Sequence, residues 1–304
     1  MKKFDVIGFG ALNIDKLYRV NKIAMAEEES FIKGFEETCG GSAANTIVGL
    51  ARLGCKVGFI GKVAKDREGE LLLEDFRREG VDTEGIIVTD EGRSGTVMGF
   101  VDDEGNRALY VDPGVNDTLG FEEINKKYAF NTKILHLTSF VGDEPFKAQK
   151  KLVESLPENV KVSLDMGELY ARKGLKALEP ILNRTFVLMP NARELEILTG
   201  KGDYRENASF LLDMGVKIVA VKLGSEGCYV TDGKGKHLVK AFKVKVVDTT
   251  GAGDAFCAGF LYGLINGKNL YECGLIGNFV ASKSIMRMGA RAGLPHLDDL
   301  KLLS

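Results

Sequence analysis

Few histidines and scattered cysteines leave this chain without the parts for a metal centre or a disulfide frame. His136, His237 and His296 lie far apart, with no metal-ligand spacing. The five cysteines (Cys39, Cys55, Cys228, Cys257 and Cys273) are odd in number, form no CxxC pair and sit in apolar or glycine-rich settings. They read as reduced cytosolic thiols. No apolar run approaches a membrane span. Met1-Lys2-Lys3 leads straight into a strand-like run without a leader pattern, so the expected location is the cytoplasm. Net charge is only -2 over 304 residues, with no basic stretch, which argues against nucleic acid or an anionic membrane as partner. Tryptophan is absent, and Gln149 is the one glutamine among plentiful Lys and Glu, a composition that leans thermophilic. There is no GxxxxGK[ST] loop and no GxSxG elbow. Gly8-Phe9-Gly10 opens like a dinucleotide fingerprint, but Asn13 stands where the third glycine belongs, which argues against hydride transfer.

What remains is an ordinary globular composition, 44% hydrophobic and 28% charged, long enough for one large domain and a small appendage. Apolar runs and helical periodicities alternate. Strands are expected at 4–10, 56–61, 133–138, 160–165, 186–189, 217–222 and 228–231. Helices are expected at 41–53, 68–79, 145–155, 173–182, 192–198 and 206–214, and after residue 251. This order predicts a mostly parallel sheet with helices on both faces. Two stretches break it. Leu12–Glu37 has no helical face, and Gly95–Asp112 reads as a hairpin around Asp103-Glu104-Gly105-Asn106. Paired with each other they would form a small lid of 12–37 and 93–112 over a large domain of 1–11, 38–92 and 113–304. An edge extension of the main sheet is the alternative.

The chemistry is concentrated in Val247–Leu261, VDTTGAGDAFCAGFL. Gly251, Ala252 and Gly253 open an apolar helix, so their amides form an anion hole at its N-terminus. Asp254 follows at once. A carboxylate beside an anion hole suits phosphoryl transfer, the carboxylate taking the acceptor's hydroxyl proton. A dipole-satisfying cap on a closely packed helix is the competing reading. Gly40-Gly41-Ser42-Ala43-Ala44-Asn45 permits close backbone approach, and Asn45 offers both a donor and an acceptor to a hydroxyl. Asn13 and Asp15 follow the first strand, where open sheets bind ligands. Asn191 and Glu194 form either a capping box or a holder for water around magnesium-bound phosphate. Lys222, Gly224, Ser225 and Gly227 end a strand in a turn fitted to nucleotide phosphate and ribose, or simply in a β-turn. Lys16, Arg93 and Arg107 are the lid-region cations available to a substrate phosphate. Phe31, Phe100 and Tyr110 are the aromatic residues available to a base.

GGSAAN at 40–45 with Leu53-Gly54, and DTTGAGDAFCAGF at 248–260, resemble the two signatures of the ribokinase-like (PfkB) carbohydrate and nucleoside kinases. NARE at 191–194 and KLGSEG at 222–227 follow in the same order, so the resemblance spans nearly the whole chain. It implies a three-layer α/β/α fold with a β lid that often mediates homodimerisation. It implies Asp254 as base, Gly251, Ala252 and Gly253 as anion hole, and Asp15, Gly41 and Asn45 around the acceptor, where the residues themselves also offer Asn13 and Gly40. ATP and Mg2+ would meet Asn191, Glu194, Lys222, Gly224, Ser225 and Gly227, with Glu194 reaching Mg2+ through water. Asp248 and Thr250, with the loop near Gly289 and Gly293, match a monovalent-cation site such as one for K+. The implied activity is transfer of the ATP γ-phosphate to a sugar or nucleoside. A phosphosugar acceptor, or a non-catalytic binding protein, is the alternative. An intact base and anion hole argue against the latter.

Overall fold

The computed structural model describes residues 2–200 and 202–303. Met1 and Ser304, the ends of the expected large domain, lie outside them, as does Lys201. In chain order the elements are β1 (Phe4–Phe9), β2 (Asn13–Val20), β3 (Ile32–Gly40), α1 (Ser42–Arg52), β4 (Val57–Ala64), α2 (Arg67–Arg78), β5 (Ile86–Thr89), β6 (Gly95–Val101) and β7 (Arg107–Asp112). Then come α3 (Lys126–Ala129), β8 (Thr132–Thr138), α4 (Asp143–Ser155), β9 (Lys161–Asp165), α5 (Gly167–Lys173), α6 (Leu175–Leu182), β10 (Thr185–Leu188), α7 (Ala192–Thr199) and α8 (Tyr204–Asp213). The chain closes with β11 (Ile218–Lys222), β12 (Cys228–Thr231), β13 (Lys236–Val239), α9 (Ala252–Ile265) and α10 (Leu270–Ser284).

The large sheet has nine strands in the order β13-β12-β11-β10-β9-β8-β1-β4-β5, parallel from β11 through β5. β12 pairs antiparallel with β11, and β13 antiparallel with β12, as an edge hairpin. Strands alternate between two cores because successive side chains face opposite ways. Ile7, Phe9, Val219 and Val221 pack under α4 to α8, whereas Val6, Ile218 and Ala220 pack under α1, α2, α9 and α10. Strand order reverses on either side of β1, which places a crevice at the carboxyl end of that strand. β2 leaves from that end.

The two stretches that break the alternation do pair. They form a separate four-stranded sheet, β3-β2-β6-β7, with β2 and β6 parallel and the outer pairs antiparallel. β3 runs on through Gly40, opposite Asn13. The expected helix at 173–182 is broken: Gly174 adopts φ 79°, which ends α5 and turns the chain into α6. The short strands β5 and β13 carry too few residues to show a period.

α9 and α10 pack through small residues. A Cβ on Gly259 would lie 2.7 Å from the Ile276 carbonyl oxygen and 2.9 Å from Gly277 Cα. Gly259→Val should therefore push α10 away and cost about 1–3 kcal/mol by overpacking, read as a lower midpoint in urea unfolding.

Candidate active site

The N-termini of α1 and α9 converge on one carboxylate. Ser42 Oγ donates to Asp254 Oδ1 at 2.7 Å, and Asn45 Nδ2 donates to Oδ2 at 2.8 Å. Thr46 Oγ1 donates to the Asp254 carbonyl at 3.2 Å, tying the backbones together. Burial pushes the Asp254 carboxyl up to about 6, against the lowering effect of those two donors. Each oxygen keeps a second lone pair for an incoming hydroxyl.

Helix α9 begins without a side-chain cap, at Gly251 in the left-handed region (φ 74°). A Cβ there would lie 2.6 Å from that of Ala290. The amide of Ala252, expected to be bare, instead donates to the Thr249 carbonyl at 3.2 Å. Among the described residues, the amides left without a protein acceptor in this first turn include those of Gly253 and Asp254. Of the three expected donors, the Ala252 amide is therefore engaged within the turn.

Lys222 lies against this cradle. Its ammonium is 2.6 Å from Asp165 Oδ2, and a Cβ on Gly253 would come within 3.2 Å of it. Both partners are nearly buried, with side chains 14% and 8% exposed. Burial alone would lower the lysine's pKa, but Asp165 above all raises it, so Lys222 stays charged. Cys257 Sγ also donates to Asp165, at 3.4 Å.

On the opposite side stand Asn13 and Asp15. Asn116 Nδ2 donates to Asn13 Oδ1 at 3.1 Å. Asp15 lies beneath Gly40, where any Cβ would strike its carboxylate. Burial pushes Asp15 up to about 6, and the Arg291 guanidinium partly offsets this. Gly41, at φ 105°, bends the chain from β3 into α1.

Asn191 and Glu194 form the full capping box of α7. Asn191 Oδ1 accepts from the Glu194 amide, and Glu194 Oε2 accepts from the Asn191 amide, each at 2.8 Å. The Asn191 side-chain amide also donates to Glu194 Oε1 at 2.8 Å. Burial, then the Asp165 charge, raises the Glu194 pKa. Asn191 bridges to Lys222, so the turn at Gly224, Ser225 and Gly227 lies beside this loop. Asp248 staples two loops: it accepts from the Thr250 amide and hydroxyl and from the Gly289 amide at 2.8 Å. Four residues of the site escaped the sequence reading as individual side chains: Ser42, Asn116, Asp165 and Arg291. Ser42 lies within the GGSAAN stretch and Arg291 between alanines in a glycine-flanked loop, whereas Asn116 and Asp165 leave no local trace.

Two carboxylates facing a crevice, a helix-terminal cradle and a buried ammonium suit phosphate chemistry on a hydroxyl compound. A family model described as pfkB family carbohydrate kinase matches residues 3–297. The chain belongs to that family. It is a sugar or nucleoside kinase, a phosphotransferase with an alcohol acceptor. An uncharacterized sugar kinase of Archaeoglobus fulgidus is 51% identical, covering 83% of this chain and 100% of its own. An ATP-dependent ribose-1-phosphate kinase of Halopiger xanaduensis is 34% identical over 94% of each chain. Among solved structures, the ribokinase of Thermotoga maritima superposes with a TM-score of 0.86 at 27% identity, covering 98% of each chain. The ribokinase fold expected from the two signatures is thus borne out. No helix among the described residues of this kinase is long and apolar enough to cross a membrane.

Removing one member of a nearly buried ion pair strands the other. Asp165→Ala should therefore destabilise this kinase by about 3–5 kcal/mol, measured by chemical denaturation at pH 7.

Proposed function

We propose that the chain transfers the γ-phosphate of ATP to a hydroxyl of a sugar or nucleoside, with Asp254 as base. The observation that carries this reading is the carboxylate held by neutral donors beside the cradle of α9. Asp254 takes the acceptor's hydroxyl proton as the oxygen–phosphorus bond forms, and the bond from the γ-phosphorus to the bridging oxygen breaks to release ADP. The Gly253 and Asp254 amides, the helix dipole and Lys222 stabilise the charge on the moving group. Asn13, Asp15 and Asn45 hold the acceptor's hydroxyls, and the small sheet above β1 excludes water.

The donor set fits Mg2+ bound chiefly through phosphate and water. Mg2+ usually keeps several waters, and Glu194, boxed with Asn191 beside Lys222, supplies one carboxylate. Glu194 would reach it through such a water. When bound, the ion neutralises charge on the phosphate chain. A K+ ion would lie where Asp248 ties its loop to Gly289, drawing on backbone carbonyls.

Similarity to the Halopiger ribose-1-phosphate kinase favours a second reading, a phosphosugar acceptor. Of the three lid-region cations, Lys16 is paired with Glu68 at 2.8 Å and Arg93 with Asp112 at 2.6 Å. Arg107, at the start of β7, is the cation this reading assigns to a substrate phosphate.

The assembly we infer is a homodimer through the lid. Phe35, Tyr18, Phe100 and Tyr110 form one continuous aromatic row across the lid's strands, with centroid spacings of 5.0, 5.2 and 6.0 Å. Phe35 and Tyr110 are 52% and 59% exposed at its ends. A second copy offers the same row under a two-fold axis. Phe35→Glu with Tyr110→Glu should shift the mass in light scattering from dimer to monomer, and an unchanged dimer would refute this interface.

Asp254→Asn should fold, bind ligands and lose roughly 10²–10⁴ in kcat in a coupled assay with ATP, Mg2+ and panels of sugars, nucleosides and phosphosugars, with and without K+. Because the base works ionised and burial raises its pKa, kcat/KM of the parent should fall as pH drops through about 6. Wild-type rates in Asp254→Asn would sink the reading.

A further inference from the structure

Arg291 lies in the loop after α10, and its side chain is 10% exposed. Its guanidinium joins three elements around the site. Nε donates to Asn45 Oδ1 at 2.8 Å, Nη2 to the Gly40 carbonyl at 3.3 Å, and Nη1 pairs with Asp75 of α2. The Asn45 contact bears directly on Asp254. A carboxamide has one accepting and one donating end of nearly equal size, so its hydrogen bonds alone decide which way it faces. Asn45 has a partner at each end. Arg291 holds the oxygen, and the nitrogen donates to Asp254 Oδ2. An arginine remains a donor at every working pH, so the oxygen end has no reason to turn away.

We propose that Arg291 is a positioning residue that locks the Asn45 carboxamide with its NH2 toward Asp254, and thereby sets the proton affinity of the base. The proposal rests on reading Asp254 as that base. Without the lock, Asn45 is free to turn its carbonyl toward the carboxylate. In that orientation the carbonyl accepts the proton of neutral Asp254, which favours the protonated form, and the pKa rises. The other groups facing Asp254 are Ser42 from α1, Asp165 from β9, Lys222 from β11 and Cys257 from its own helix. None of them touches Arg291.

Arg291→Lys is the informative variant. It keeps a positive charge beside Asp75 and Asp15 but lacks the planar fork that reaches three elements at once. The Asp254 carboxyl is titrated by carbon-13 NMR in the full-length protein, with Asp254→Asn supplying the assignment. In Arg291→Lys the Asp254 pKa should rise by about one pH unit, the scale of one lost hydrogen bond to a charged group. The acid limb of kcat/KM should move up with it, so the activity lost near pH 6 returns above pH 8. A merely structural defect would lower activity at all pH values. Asn45→Ala should raise the same pKa by itself, and adding Arg291→Lys to it should raise the pKa no further. An unmoved Asp254 pKa in Arg291→Lys, or a shift that adds fully to that of Asn45→Ala, overturns the proposal. Should Arg291→Lys not fold, an unmoved pKa in Asn45→Ala overturns it. If the NMR pKa moves while the acid limb stays, Asp254 is not the base, yet the Arg291 lock stands.

Discussion

Asp254 is half-buried between two neutral donors, Ser42 and Asn45, and among the described residues no cation is paired with it. A carboxylate so placed is costly to ionise, and that cost is what gives it the proton affinity of a base. Much of the surrounding structure follows from keeping it there. α1 must bring its first turn against that of α9, so the contact between them is lined with small residues. A Cβ on Gly49 would lie 2.8 Å from that of Ala258. The chain enters each helix through a glycine at positive φ: a Cβ on Gly41 would strike the Ala11 carbonyl oxygen, and one on Gly251 the Cβ of Ala290.

Two buried cations flank this carboxylate, and each has its own anion. Lys222 is held by Asp165, and Arg291 by Asp75. Buried ion pairs of this kind contribute little net stability, since desolvation offsets most of the attraction. Their value here is positional. Asp165 and Asp75 keep the two cations from collapsing onto Asp254, where a direct salt bridge would lower its pKa and weaken it as a base.

The local parts of this site were legible in the sequence, and the long-range parts were not. The glycine turns, the Asp254 helix start and the Asn191–Glu194 box are set by neighbours a few residues apart. Ser42 and Asp254 are 212 residues apart, and Asn45 and Arg291 are 246 apart. Nothing in local periodicity records such a contact. The parallel core was readable because its strands are continuous apolar runs. The break at Gly174 was less so, since Leu178, Ile181 and Leu182 keep a helical face beyond it. The Ala252 amide illustrates the same limit at a finer scale: a glycine-rich turn predicts free donors but not which one the preceding carbonyl will take.

The small sheet is made of two stretches that the chain visits at separate times. β2 and β3 form one hairpin and β6 and β7 another, and their only shared ladder joins β2 to β6 in parallel. A two-stranded hairpin is marginal by itself in water. The two hairpins meet only once the body has brought Asn13 and Gly95 side by side, a contact that the Asn116 side chain secures between Leu12 and Asn13. Loop closure must be met before such non-local pairing is rewarded. The small sheet is thus a joint between two hairpins, and Asp15, carried on β2, stands on the strand where they join.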